Sequence, residues 1–176
     1  MSVKIPEYVA GHGLLKGKSV LITAAAGAGI GFAAAKRAVE EGCRSIVISD
    51  IHEGRLNDAV ERLKAETGLD KVDGKVCNVA VEEDVQALIA FAEDFCGGVD
   101  VLINNAGLGT TKALIDMEDA EWDRVIDVTL NGTMRMTRQM MRTMKARGAG
   151  VIVNNASVLG WRAQKEQSHY AAAKAG

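Results

Sequence analysis

Tyr170 and Lys174 stand four residues apart at the start of a helical pattern, so their side chains share one face. A free phenol ionises at a pKa of about 10 and is a poor base near neutrality. An ammonium group on the same face stabilises the phenolate and lowers that value. Such a pair can move a hydroxyl proton to and from a substrate. Taken alone, Tyr-x-x-x-Lys is a common surface pair on helices. Ser157 lies 13 residues before Tyr170, just past an apolar run. Its hydroxyl could donate to a carbonyl or alkoxide oxygen, and its plainer reading is an ordinary turn serine.

A second group of residues suits phosphate and sugar. Residues 23–31 read TAAAGAGIG, between a short apolar run and a helical pattern. Small residues there, with Gly27, Gly29, Ile30 and Gly31 at the helix start, let the backbone approach a pyrophosphate. The helix offers free N–H groups and a positive dipole end. Gly/Ala turns also form simply where strand and helix pack closely, and position at the start of a βαβ unit raises the nucleotide reading. Asp50 ends the second apolar run, 19 residues after Gly31, where a carboxylate accepts bonds from the adenosine ribose hydroxyls. That charge repels a 2′-phosphate and favours NAD over NADP. Arg55 is expected to face solvent from a helix. Asp50 could equally serve as a helix N-cap. Asn104-Asn105-Ala106-Gly107 follows the fourth apolar run, where small residues suit close cofactor approach and Asn side chains could tie adjacent strands. An Asn-Gly-type turn is its plainer reading.

These residues need a scaffold, and the hydrophobic pattern predicts one. Strands are expected at 19–23, 45–49, 75–79, 99–103 and 151–154. Helices are expected at 30–41, from Leu56 to Gly68, from Val81 to Gly97, as one long stripe over 119–147, and from Gln167 onward. Strict alternation implies parallel strands joined by right-handed crossovers, hence an α/β, doubly wound, Rossmann-type sheet with apolar residues on both faces. Residues 1–17 read as an N-terminal extension and 18–176 as a dinucleotide-binding domain incomplete at its C-terminus. Met134, Met136, Met140, Met141 and Met144 read as core or subunit packing, with Arg135, Arg138 and Arg142 on the solvated or interface-rim side.

Composition narrows the function classes. The 176 residues are 48% hydrophobic and 25% charged, with a net charge of −2. No basic run suggests a nucleic acid or an anionic membrane as partner. The first 17 residues resemble neither a signal peptide nor a membrane span, so cytoplasmic residence is the expectation. Cys43, Cys77 and Cys96 form no CxxC pair and no metal-ligand spacing, and read as buried thiols in a reducing compartment with no metal site.

Taken in order, the turn at 23–31, Asp50, NNAG at 104–107, Ser157 and YAAAK at 170–174 resemble the short-chain dehydrogenase/reductase family. The likeness runs from Gly13 onward. It implies an NAD-dependent enzyme acting on CH–OH groups, a small-molecule substrate and a homo-oligomer. It implies Tyr170 as acid/base, Lys174 lowering its pKa and binding the nicotinamide ribose, and Ser157 polarising the substrate oxygen. Gly27, Gly29, Ile30 and Gly31 would hold the pyrophosphate and Asp50 the adenosine ribose. Asn78 and Val79 would lie at the adenine, and Asn105, Ala106 and Gly107 behind the nicotinamide ring. Three positions depart from the family pattern. Ala24 stands where a glycine usually opens a turn one residue shorter, Asn78 where an Asp is common, and Thr129 where a fourth catalytic Asn is usual. Asn131 is expected to point elsewhere on its helix.

The stretches TAAAGAGIG, ISDIHEGRL and NNASVLGWRAQ with the later SHYAAAKAG narrow the resemblance to bacterial steroid-catabolism dehydrogenases acting on a hydroindanone-carboxyl-CoA, part of lipid metabolism. Acyl-thioester reductases of fatty-acid synthesis are rivals. A non-catalytic nucleotide-binding module and a nucleotide-sugar epimerase or dehydratase stay open. The resemblance further implies that the rest of the last helix, two strands and a substrate loop lie beyond Gly176, and residues 1–176 alone are expected to fold poorly or aggregate.

Overall fold

Runs of Val, Ile and Leu bounded by glycine and polar residues form the strands of the computed structural model, which describes residues 6–176. The strands are β1 (Ser19–Ile22), β2 (Ser45–Asp50), β3 (Val72–Val76), β4 (Val101–Asn104) and β5 (Val151–Asn154). The helices are α1 (Ile30–Glu40), α2 (Glu53–Thr67), α3 (Glu82–Cys96), α4 (Asp119–Ile126), α5 (Gly132–Arg147) and α6 (Ser168–Ala175). All strand pairs are parallel, in the order β3-β2-β1-β4-β5. This is the expected doubly wound sheet. The order in which strands are added across the sheet reverses between β1 and β4, and a crevice opens beyond the carboxyl ends of strands at such a switch.

Each face of the sheet has its own core. Val20, Ile22, Ile46 and Ile48 point toward α1 and α2 and pack with Phe32, Ala35, Leu56 and Leu63. Leu21, Val47 and Leu102 point the other way and pack with Leu88, Ala92, Met136 and Met140 of α3 and α5. Alternate residues of one strand thus serve opposite layers. The three cysteines are free and buried. Burial raises all three thiols, Cys43 to about 11 and Cys77 to about 12, so they stay protonated near neutrality.

The structure departs from the sequence expectations at four elements. β3 lies three residues earlier than the expected 75–79, because Ile46 pairs with Val72 and Asp50 with Val76. Gly74 sits mid-strand, where a Cβ would come within 3.0 Å of Val60 and Leu56 side chains, so the close approach of α2 selects a weak strand former there. β4 begins at Val101 instead of 99. The expected single helix over 119–147 is broken by a π turn, Asp127–Asn131, between α4 and α5. Gly132 ends that turn, and a Cβ there would meet Val79 Cγ2 at 2.7 Å. β5 is not apolar-covered on both faces: Val151 and Val153 are exposed among the described residues. Met136, Met140 and Met144 are core, whereas Met134 and Met141 are exposed.

Residues 8–17 lie along the end of α1. The buried Glu41 carboxylate accepts from the backbone N–H of His12 (2.8 Å) and Leu14 (3.1 Å), and Arg37 pairs with it at 2.5 Å. No helix among the described residues is long and apolar enough to cross a membrane.

Candidate active site

The turn after β1 is shaped by two unusual positions. Ala24 takes a φ of 52°, in the left-handed region that favours glycine. A non-glycine residue there costs roughly 1–2 kcal/mol. The turn therefore forms with alanine at the position where the family pattern has glycine. Gly31, in the first turn of α1, sits against it, where a Cβ would lie 2.5 Å from the Ala24 carbonyl and 2.6 Å from Asn105 Nδ2. Gly27, Gly29 and Ile30 are exposed around the N-terminus of α1, whose cap residue Gly29 makes no side-chain bond to it. The first-turn amides are thus left for a ligand.

The carboxyl ends of β1, β4 and β5 are tied by side chains. The Thr23 hydroxyl accepts from the Asn105 and Ala106 amides, both at 3.0 Å. Asn105 Nδ2 donates to the Thr23 and Ala24 carbonyls (3.1 and 3.0 Å), and its Oδ1 accepts from Asn155 Nδ2 at 3.0 Å. Asn104 Nδ2 donates to Asn154 Oδ1 at 2.9 Å. The Asn side chains do tie adjacent strands. Thr23 and Asn155 are partners that the sequence reading missed. Their only signal was position at the end of a strand.

Ser157 follows β5 and its Oγ accepts from the Leu159 amide at 3.2 Å, which opens the short 3₁₀ turn Val158–Gly160. Tyr170 and Lys174 lie half-buried on one face of α6, with Lys174 Nζ 5.7 Å from the phenol ring centroid. Lys174 Nζ donates to the Asn155 carbonyl at 2.6 Å. Burial pushes its ammonium below the usual lysine value. A cleft of about 710 Å³ brings together Gly27, Gly29, Ile30, Gly31, Asp50, Asn105, Gly107, Ser157, Tyr170 and Lys174. Asn78, Val79 and Ala106 line an adjoining hollow of about 310 Å³, which shares Asp50, Arg55 and Gly107 with the cleft.

One residue behaves otherwise than the sequence suggested. Arg55 does not simply face solvent: its guanidinium reaches back to Asp50 Oδ1 at 3.3 Å, although more than half of the side chain stays exposed. The same Oδ1 accepts from the His52 amide at 3.1 Å; the cap of α2 is His52, so Asp50 is not the helix N-cap and lies two residues before it. Thr129 is buried in the π turn. Its hydroxyl accepts from the Leu108 amide (3.0 Å) and donates to the Leu108 carbonyl (3.1 Å). It supports the loop after β4 and has no hydroxyl proton left for a relay. Asn131 bonds Asp127 and lies outside both hollows, as expected. Arg135 and Arg138 pair with Asp127 and Glu82, and Arg142 with Gln139, so this face is held by bonds within the chain.

The site fits a dinucleotide: a glycine cradle at a helix N-terminus, a carboxylate at the end of β2, and a Tyr–Lys pair beyond β5. A family model described as short chain dehydrogenase matches residues 18–176. The chain is 55% identical over 172 residues to the (5R,7aS)-5-hydroxy-7a-methyl-1-oxo-2,3,5,6,7,7a-hexahydro-1H-indene-carboxyl-CoA reductase of Mycobacterium tuberculosis, covering 97% of this chain and 65% of that protein. It is 36% identical to the 3-oxoacyl-(acyl-carrier-protein) reductase FabG of Vibrio harveyi, covering 92% of this chain and 64% of that one. The crystal structure of a short chain dehydrogenase from Mycobacterium smegmatis superposes with a TM-score of 0.91 at 56% identity, covering 98% of this chain and 70% of that one. The chain thus spans just under two thirds of these two curated relatives. By sequence, fold and site, the chain belongs to the short-chain dehydrogenase/reductase family.

Proposed function

We propose that this chain carries the cofactor-binding and proton-handling part of an NAD-dependent oxidoreductase that interconverts a secondary alcohol and a ketone. The observation that carries this reading is the convergence of Tyr170, Lys174, Ser157 and the glycine turn on one cleft. A bound nicotinamide supplies or accepts the hydride. Tyr170 exchanges a proton with the substrate oxygen. Lys174, fixed by the Asn155 carbonyl, places its charge on the phenol's face of the helix and favours the phenolate. The Ser157 oxygen takes the Leu159 amide, which leaves its hydroxyl proton to polarise the same substrate oxygen. Gly27, Gly29, Ile30 and Gly31 would cradle the pyrophosphate, and Asp50 the adenosine ribose. Asn78 and Val79 would border the adenine, and Asn105, Ala106 and Gly107 the nicotinamide.

The name of the Mycobacterium tuberculosis relative supports a ring ketone or alcohol on a steroid-derived CoA thioester as substrate. The FabG relative supports a second reading, a 3-oxoacyl thioester. The reading also includes a cytoplasmic protein. The exposed Met134 and Met141 support packing against another copy of the chain. The test is reduction of two probe ketones, 1-decalone and acetoacetyl-CoA, followed at the nicotinamide absorbance with NADH and with NADPH. Preference for the bicyclic ketone supports the first substrate class and preference for the thioester the second. Tyr170→Phe is expected to lower kcat about 10²–10⁴-fold. Undiminished turnover in that variant overturns the role of Tyr170, and NAD binding without turnover supports a binding module instead.

A further inference from the structure

The residue before Tyr170 is His169, which is fully buried yet polar. Its Nε2 lies 2.7 Å from Thr110 Oγ1, and the Thr110 hydroxyl donates to Glu121 Oε1 at 2.6 Å. A hydroxyl has one proton, and here the carboxylate takes it. The histidine must therefore be the donor in the first contact, through Nε2–H. Its other nitrogen, Nδ1, is buried with no hydrogen-bond partner among the described residues. Burying half of an imidazole unsatisfied costs free energy that a leucine of similar size would not incur. Packing alone does not account for a histidine at this position.

What the bond joins does account for it. α6 starts at Ser168, and its cap residue Gln167 makes no side-chain bond to the helix. The turn that carries Tyr170 thus lacks the usual N-terminal tie. It is held instead by the loop after β4. Gly109 lies against the Tyr170 ring, where a Cβ would come 3.2 Å from Cδ2. The Lys112 amide donates to the Glu166 carbonyl at 2.8 Å. Between these two contacts stands the Thr110–His169 bond, while Thr129 holds Leu108 from the other side. Glu121 belongs to α4, so the chain Glu121–Thr110–His169 links three segments at the base of the tyrosine.

We propose that His169, through Thr110 and Glu121, is a positioning residue that sets the angle at which Tyr170 meets the substrate oxygen. This rests on the oxidoreductase reading above. His169→Leu keeps the volume and removes the donor. His169→Gln restores an N–H at the ε position, and Thr110→Val removes the acceptor without touching α6. The experiment measures kcat and KM for NADH with 1-decalone and acetoacetyl-CoA, using the intact protein. His169→Leu and Thr110→Val are expected to lower kcat about tenfold or more with KM for NADH within about twofold, and His169→Gln to recover most of the loss. If His169→Leu does not fold, Thr110→Val and His169→Gln decide the question. Wild-type kcat in Thr110→Val, a parallel loss of NADH affinity, or a His169→Gln no better than the other two variants overturns the proposal. A wild type that reduces neither ketone overturns the oxidoreductase reading itself, a result distinct from any of these.

Discussion

Asp50 shows how a single side chain carries two duties. One carboxylate oxygen accepts from the His52 amide and from Arg55, and the residue borders both hollows of the crevice. Its charge disfavours a cofactor with a 2′-phosphate, and the neighbouring guanidinium offsets part of that repulsion. Arg55→Ala is therefore expected to raise the ratio of NAD affinity to NADP affinity by about two- to fivefold, the scale of an exposed ion pair. Titration of both nucleotides against nicotinamide or protein fluorescence measures it, and an unchanged ratio removes Arg55 from cofactor choice. Asp50 itself was legible because its distance from the glycine turn is set by one βα unit. Arg55 was not, because the length of its side chain lets it reach back across the start of α2. Thr129 was visible as a departure from the family pattern, but its two hydrogen bonds to Leu108 depend on a loop brought near only by folding.

At the scale of elements, α1, α2 and α3 match their expected spans within a few residues, because apolar spacing and left-handed glycines at 68 and 97 mark their faces and ends. β3 and the π turn did not announce themselves. Gly74 and Gly132 answer to neighbours that approach closely, Leu56 and Val60 for one and Val79 for the other. The strap at residues 8–17 is held by Glu41, whose carboxyl the Leu14 amide, then the His12 amide and Arg37, hold down at about 2. A carboxyl held below its usual 4.5 contributes stability in full above that pH and loses it as pH falls through about 2. Glu41→Gln is expected to lower the Tm above pH 4.5, with the difference closing toward pH 2. It should also speed tryptic cleavage at Lys16 while leaving NAD binding unchanged. A Tm gap that does not vary with pH contradicts the assignment.

For the whole molecule, stability and function share the central strands. Leu21, in register with Val47 and Leu102, lies wholly inside the layer that packs on α3 and α5. Leu21→Ala is expected to cost about 2–5 kcal/mol, read as a shift in the denaturant midpoint at constant slope. The same strand ends at Ile22, and the next residue, Thr23, has a hydroxyl that ties the Asn105 loop. A cavity beneath β1 should therefore weaken nucleotide binding along with stability. Unchanged binding at full occupancy of the fold separates the two.

By itself, the sequence determined the alternating α/β class, the parallel sheet, the glycine turn and the order of Asp50, Ser157, Tyr170 and Lys174, because each is written in local spacing: period two, period 3.6, or four residues on one helix face. The strand order that opens the crevice, the Arg55–Asp50 pair, the commitment of Thr129 to Leu108 and the tie from Glu121 through Thr110 to His169 emerge on folding alone. Those depend on segments tens of residues apart. Their contacts follow from how two apolar faces of one sheet are covered, which no window of sequence contains.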